Sequence, residues 1–226
     1  MTVIPIQRKV LNENQIIASS LRQSYADHGI LCLNLISSPG SGKTTLLERT
    51  LEGLPPKDKV VVLTGDLQTE NDAKRIAQAG FPVQQITTGT ICHLDGRMIQ
   101  RALAAWSLDD IELLLVENVG NLVCPSSYDL GESAKIVLLS VTEGEDKPLK
   151  YPSIFAKAEL LILTKLDLLP YVPFDIAKAR ENARIVHPGM QIIELSCTTG
   201  EGMEEWQNWL SRRRSSMHPL ASALGA

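Results

Sequence analysis

"LISSPGSGKTTLL", Leu35 to Leu47, is the stretch that decides the fold. It overlaps the apolar run "ILCLNLI", residues 30–36, which is too short for a helix and reads as a buried strand. It runs into "KTTLLERTLEGL", which reads as a helix, and Pro39, Gly40 and Gly42 make the turn between them. A strand, a glycine-rich turn closing on Gly-Lys-Thr and a helix make a phosphate-binding loop. Gly40 and Gly42 let backbone N–H groups approach phosphate oxygens, and Ser41 and Thr45 belong to the same cradle. Lys43 offers a cation to the β- and γ-phosphates of a triphosphate. Thr44 offers a hydroxyl to Mg²⁺, and the helix N-terminus favours anions. Ser37 stands where such loops usually open with glycine. That position shapes the turn rather than contacting phosphate through a side chain, so the exchange is expected to be tolerated.

The same beat recurs outward from the loop. "KVVVLTGD", "VQQITT", "IELLLVEN", "AKIVLLSV", "LLILTK" and "QIIELSC" read as strands; "NDAKRIAQAG", "ICHLDGRMIQRALAAW", "FDIAKAREN" and "GMEEWQNWL" read as helices. Alternation of this kind predicts an α/β, doubly wound, mostly parallel sheet of about seven strands with helices on both faces, a P-loop NTPase fold in one domain. "KVLNENQIIASSLRQSYADHG" has helical spacing and predicts an amphipathic N-terminal helix, an extension over residues 1–28. The nucleotide domain is expected at 29–212 and a flexible, small and polar tail at 213–226.

The 226 residues are 44% hydrophobic, enough for a sizeable core. A net charge of -4 argues against a broad nucleic-acid surface, and no apolar run reaches the roughly 20 residues of a membrane helix. The stretch "MTVIPIQRKVLNENQ" has no apolar signal core, so a cytoplasmic location is expected. Cys32, Cys92, Cys124 and Cys197 form no CxxC pair and are expected as thiols.

Mg²⁺ at a phosphate loop usually takes a carboxylate as well. Asp66 and Glu117 end strands and are the candidates, directly or through water, with helix or turn capping as the alternative, for Asp66 above all. Lys43, Asp66 and Glu117 are the candidate catalytic groups. Gly120, in "ENVGN", can give its N–H to a γ-phosphate, which makes its loop a sensor of hydrolysis. "TKLD" follows the strand "LLIL". A carboxylate at Asp167 can accept from guanine N1–H and N2–H, whereas adenine would leave it unpaired. Lys165 can lay its stem along the base, and the Ser196–Cys197 backbone of "SCTTGEG" can close over it. GTP is therefore expected rather than ATP.

Together "NLISSPGSGKTTLL", "GDLQTENDA", "TTGTICHLD", "VENVGNLVCP" and "EGEDKPLKYP" resemble the HypB family, GTPases that help insert nickel into [NiFe]-hydrogenase. The resemblance runs from about Asn34 to Gly202. It implies a slow, switch-type GTPase and metallochaperone that dimerises, related to the urease-maturation GTPase UreG. Its implied partners are another nickel-maturation factor and the hydrogenase large subunit. This chain lacks the N-terminal cysteine cluster and the His-rich stretch of some relatives, so any nickel site must lie in the GTPase domain. Thr164 stands where many GTPases have asparagine.

"ICHLDG" sets Cys92 beside His93 at an expected helix start, which favours the thiolate. Cys and His suit zinc and nickel alike. Two adjacent ligands do not make a site, but a two-fold dimer doubles them, and Cys124 is the third candidate. It shares a loop with "ENVG", so hydrolysis and metal affinity can be linked through one segment. A buried cysteine with a capping histidine is the plainer alternative. Cys32 reads as core, and His28, His187 and His218 as structural. Asp95 reads as a helix-start carboxylate. "EGEDKPLKYP" reads as a polar loop whose Lys147 and Lys150 either reach nucleotide or stay in solvent. A kinase on the same loop would leave "TKLD" unexplained; a metal-free chaperone GTPase would leave Cys92, His93 and Cys124 without purpose. Between HypB and UreG, "CH" rather than "CPH" favours the hydrogenase side.

Overall fold

The computed structural model describes residues 6–55, 58–68 and 71–217. The start of the N-terminal extension, part of "GDLQTENDA", and the tail from His218 onward lie outside the described residues. The chain opens on helix α1 (Ile6–Asp27), then alternates: β1 (Leu31–Ser37), α2 (Lys43–Glu52), β2 (Val60–Asp66), α3 (Asn71–Ala77), β3 (Val83–Thr87), α4 (Gly96–Leu103), β4 (Leu113–Glu117) and β5 (Ala134–Ser140). Two one-turn helices follow, α5 (Lys147–Lys150) and α6 (Pro152–Phe155), then β6 (Leu160–Thr164), α7 (Ile176–Val186), β7 (Gln191–Glu194) and α8 (Met203–Met217).

The seven strands form one sheet in the order β3-β2-β4-β1-β5-β6-β7, every pair parallel. β1 lies at the centre, between β4 and β5, buried along its whole length. Its alternating side chains feed opposite faces. Leu31, Leu33 and Leu35 join α2 and α8 through Leu46, Leu47, Trp206 and Trp209, while Cys32 faces Leu21 and Tyr25 of α1. Cys32 is core, as expected, with its thiol pushed up to about 12 by burial.

Helix α1 is part of this body. It buries Ala18, Leu21 and Tyr25, and Arg22 pairs with Asp129 at 2.7 Å. Asn14, also buried, accepts from Gly96 N at 2.8 Å and donates to Asp129 O at 2.9 Å. The helix thus covers one sheet face beside α4. Three boundaries differ from the sequence reading. Helix α4 begins at Gly96, not Ile91, because Asp95 caps it by accepting from Met98 N at 2.8 Å. "EGEDKPLKYP" folds into α5 and ends on Pro152, the first residue of α6, so that each helix has a proline in its first turn. Helix α8 runs past the expected boundary at 213 to Met217, held by Arg213 on Glu159 (3.1 Å) and Arg214 on Asp58 (2.6 Å). Among the described residues no helix is long and apolar enough to cross a membrane.

Candidate functional site

The C-terminal ends of β1, β2 and β4 open onto one cleft. It is lined by Gly40, Gly42, Lys43, Thr44 and Thr45 of the loop, by Asp66 and Glu117 from the neighbouring strand ends, and by Gly120 and Lys165. Gly40 and Gly42 hold φ of 73° and 100°, the left-handed region that a side chain disfavours. Lys43 is buried, and burial holds its pKa below the ordinary lysine value, opposed chiefly by the nearby Glu117 charge. Its ammonium donates to Ser37 Oγ at 3.0 Å, and that hydroxyl donates to Ser38 O at 2.6 Å. Ser37 therefore does more than shape the turn: its side chain is an acceptor for the loop lysine.

Thr44 Oγ1 donates to Glu117 Oε1 at 2.7 Å. Glu117 is buried, and burial pushes its pKa up to about 7 against the pull of Lys43 and Thr44. Its other oxygen, Oε2, is buried with no hydrogen-bond partner among the described residues. A hydroxyl, a carboxylate and an orphaned oxygen at one point are the donor set that Mg²⁺ takes, so these residues fit that ion. Asp66 lines the cleft and also accepts from Gln68 N at 3.1 Å, the turn-capping role weighed for it.

Lys165 Nζ donates to Gly40 O at 2.6 Å, from a residue with φ of 64°. Thr164, in the asparagine position, donates to Ser41 O at 2.7 Å and so ties "TKLD" to the phosphate loop. Asp167 lies outside the cleft lining and accepts from Ser196 Oγ, which in turn accepts from Thr198 N and Thr199 N at 3.2 Å. Ser196 acts through its hydroxyl, not only its backbone. The Cys197 thiol is pushed up to about 11 by burial. Sequence reasoning missed Glu143, which accepts from Ser41 Oγ at 2.8 Å, and Arg75, whose guanidinium donates to Thr45 Oγ1 at 3.2 Å. Lys147 reaches Ser38 Oγ at 3.4 Å, whereas Lys150 pairs with Asp146 at 2.7 Å.

The loop after β4 passes from this cleft to a second cluster. A Cβ on Gly120 would lie 2.9 Å from Pro39 Cα, so only glycine lets the loop press on the phosphate loop. Farther along it Cys124 meets Cys92, Sγ to Sγ, at 3.0 Å, and ligand atoms of Cys92, His93 and Cys124 all lie within 4.8 Å of one another. The three converge within one chain. Cys92 and His93 lie before α4, not at its N-terminus, so the helix acts on Asp95 rather than on Cys92. The Cys124 thiol is held above its usual value by the hydrogen bond with Cys92 and then by burial. The His93 ring stacks on Tyr128 at 3.8 Å between centroids. Burial lowers the His93 pKa against the Asp95 charge, and Nδ1 has no partner among the described residues. A neutral imidazole with an unused nitrogen beside two thiols is the donor set of a soft or borderline metal ion.

Residues 31–194 match the family model described as CobW/HypB/UreG, nucleotide-binding domain. The chain is 52% identical over 212 residues to the hydrogenase maturation factor HypB of Escherichia coli (strain K12), covering 94% of this chain and 73% of that protein. The crystal structure of HypB from Helicobacter pylori in complex with nickel superposes with a TM-score of 0.85 at 40% identity, over 90% of this chain and 96% of that one. HypB from Archaeoglobus fulgidus gives 0.84 at 38% identity, over 90% and 99%.

Proposed function

This chain belongs to the HypB hydrogenase maturation factors of the CobW/HypB/UreG nucleotide-binding family, and from that membership we propose that it is a GTP-hydrolysing nickel metallochaperone. One observation carries the reading: a single short loop runs from Glu117, at the end of β4 and hydrogen-bonded to Thr44, to Cys124, hydrogen-bonded to Cys92. A change at the γ-phosphate is therefore felt by a metal ligand.

Backbone N–H groups of Gly40, Ser41 and Gly42 hold the phosphates, and Lys43 leaves Ser37 for the β- and γ-oxygens. Water adds to the γ-phosphorus as the bond from that phosphorus to the β,γ-bridging oxygen breaks; GDP keeps the bridging oxygen, inorganic phosphate takes the water oxygen, and the water's surplus proton passes to solvent. Thr44 and Glu117 would hold Mg²⁺, which offsets the charge that gathers on those oxygens. Asp66 orients the attacking water, or would help Thr44 and Glu117 to hold the Mg²⁺. Asp167, fixed by Ser196, reads guanine, while Lys165 flanks the base and the Ser196–Cys197 turn closes on it. Cys92, His93 and Cys124 take the nickel cargo, and zinc suits the same donors. Three ligands fall one short of the usual four, and the apolar Ile91 and Val123 beside them are exposed. Both features support a GTP-dependent homodimer with the metal at its interface. The cargo passes between another nickel-maturation factor and the hydrogenase large subunit.

Nickel binding by anaerobic equilibrium dialysis, with Mg-GDP and with a non-hydrolysable Mg-GTP analogue, tests this on wild type and Cys92→Ala. Nucleotide-dependent affinity that disappears in the variant is expected. Equal affinity in both states would remove the link between hydrolysis and cargo.

A further inference from the structure

Asn118 lies between the two sites and belongs to neither ligand set. It follows Glu117 directly, precedes Val119 and Gly120, and is 1% exposed. Its backbone N–H donates to Leu35 O at 3.0 Å, on the strand that runs into the phosphate loop. Its side-chain oxygen accepts two backbone N–H groups, Val119 at 3.0 Å and Leu94 at 3.1 Å. Leu94 is the residue after His93, fully buried, with its side chain against Gly65 next to Asp66. One amide oxygen therefore joins the loop facing the γ-phosphate to the segment carrying Cys92 and His93.

The orientation of that amide is fixed by its surroundings. Two N–H donors demand an oxygen, and the amide nitrogen then donates to Asn34 Oδ1 at 3.2 Å. Asn34 is fully buried and donates in turn to Glu132 Oε1 at 3.1 Å, while Glu132 Oε2 accepts from Leu130 N at 2.6 Å. These bonds engage both ends of the Asn118 amide. If the loop after β4 shifts, Asn118 either carries Leu94 with it or leaves a buried N–H unpaired, which is costly. Cys124 moves with the loop by covalent connection. Cys92 and His93 have no covalent connection to the loop; hydrogen bonds join their segment to it at Cys124 Sγ, at Asn121 Nδ2, which donates to Cys92 O at 3.2 Å, and at Asn118, and of these Asn118 stands nearest Glu117 in the chain.

We propose that Asn118 is the positioning residue that transmits nucleotide state to the Cys92–His93 segment, so that both halves of the metal cluster respond together; this rests on the nucleotide-linked metal binding proposed above. The test measures nickel(II) dissociation constants with Mg-GDP and with the β,γ-imido GTP analogue, on wild type, Asn118→Ala and Asn118→Asp. Nucleotide affinity is measured in parallel. Wild type is expected to differ between the two nucleotides by about 5- to 150-fold, the usual range of coupling between sites. In Asn118→Ala that ratio is expected to fall to within about twofold of unity, and Asn118→Asp, which keeps the acceptor for Leu94 N, to recover part of it. A purely structural residue would weaken both nickel constants alike and leave the ratio intact.

A wild-type ratio near one overturns the linkage itself, and this inference with it. A large wild-type ratio that survives in Asn118→Ala overturns this inference alone. Where Asn118→Ala fails to fold, amide hydrogen exchange of wild type decides. Leu94 N–H is expected to change protection between the two nucleotides along with Val119, and an unchanged Leu94 beside a changed Val119 refutes the proposal.

Discussion

Ser37 Oγ accepts a hydrogen bond from the Lys43 ammonium at 3.0 Å, across the turn of the phosphate loop. The buried cation is thus partnered before any phosphate arrives. Ser37→Ala should destabilise the nucleotide-free protein by about 1.5–3 kcal/mol, the usual worth of a hydrogen bond to a charged group. Mg-GDP supplies new acceptors, so thermal melting should show a smaller deficit in its presence. Lys43→Ala, by contrast, should abolish GTP hydrolysis in a phosphate-release assay. Equal melting deficits with and without nucleotide would contradict the parking role of Ser37.

Asp167 is held by Ser196 and presents an acceptor-only group beside Lys165. Asp167→Asn replaces one acceptor by a donor. Competition binding should show the preference for GTP over ATP falling by about 100-fold or more, because a site built on hydrogen bonds discriminates through the partner left unpaired. An unchanged preference would place guanine recognition elsewhere.

The thiols of Cys32 and Cys197 carry pKa values raised by burial, to about 12 and about 11. The folded state keeps these protons to higher pH than the unfolded chain, whose thiols ionise near the ordinary value. Stability from this source is fully present below that ordinary value and is lost as pH rises through it toward the folded values. Urea melts from pH 8 to pH 11 should fall less steeply for a Cys32→Ala, Cys197→Ser double variant. Thiol-specific labelling at pH 8 should spare both residues in the native protein.

Asn14 joins Gly96 N to Asp129 O, the backbone just beyond each half of the metal cluster. Asn14→Ala orphans a donor and an acceptor at once, for a loss of about 2–6 kcal/mol at roughly 1–3 kcal/mol per buried group. Urea denaturation should show a lower midpoint at unchanged slope. A shift below about 0.5 kcal/mol would mean that water takes over both groups.

The sheet was legible because each strand is a short apolar run between turn residues, and parallel pairing buries both faces. The meeting of Lys43, Thr44 and Glu117 was legible because phosphate chemistry fixes their types and sets them at the start of α2 and the end of β4. What escaped depends on distance along the chain. Ser37 meeting Lys43 needs the loop to be closed, and Glu143 meeting Ser41 needs β5 beside β1. The convergence of Cys92 and Cys124 comes from separate crossovers, so no spacing rule announces it. Two boundaries were misread although local signals were present. Asp95 is a good N-cap for α4, and Pro148 and Pro152 sit in first turns, where proline is at home. The end of α8 was not locally signalled: "SRRRSSM" has little apolar periodicity, and Arg213 and Arg214 are fixed by partners far back in the chain.

The clasp at Asn14 also sets an order in time. Its anchors follow it by 82 and 115 positions. At about 5–20 residues per second, Asp129 leaves the ribosome roughly 6–23 s after Asn14. During that interval the nascent helix lacks its Asp129 anchor, and Cys92 emerges before Cys124 does. A metal ion captured then would meet Cys92 and His93 without Cys124. The trio comes together only after the segment before β5 has been made and docked, so the three-ligand arrangement is a property of the finished chain and not of the growing one.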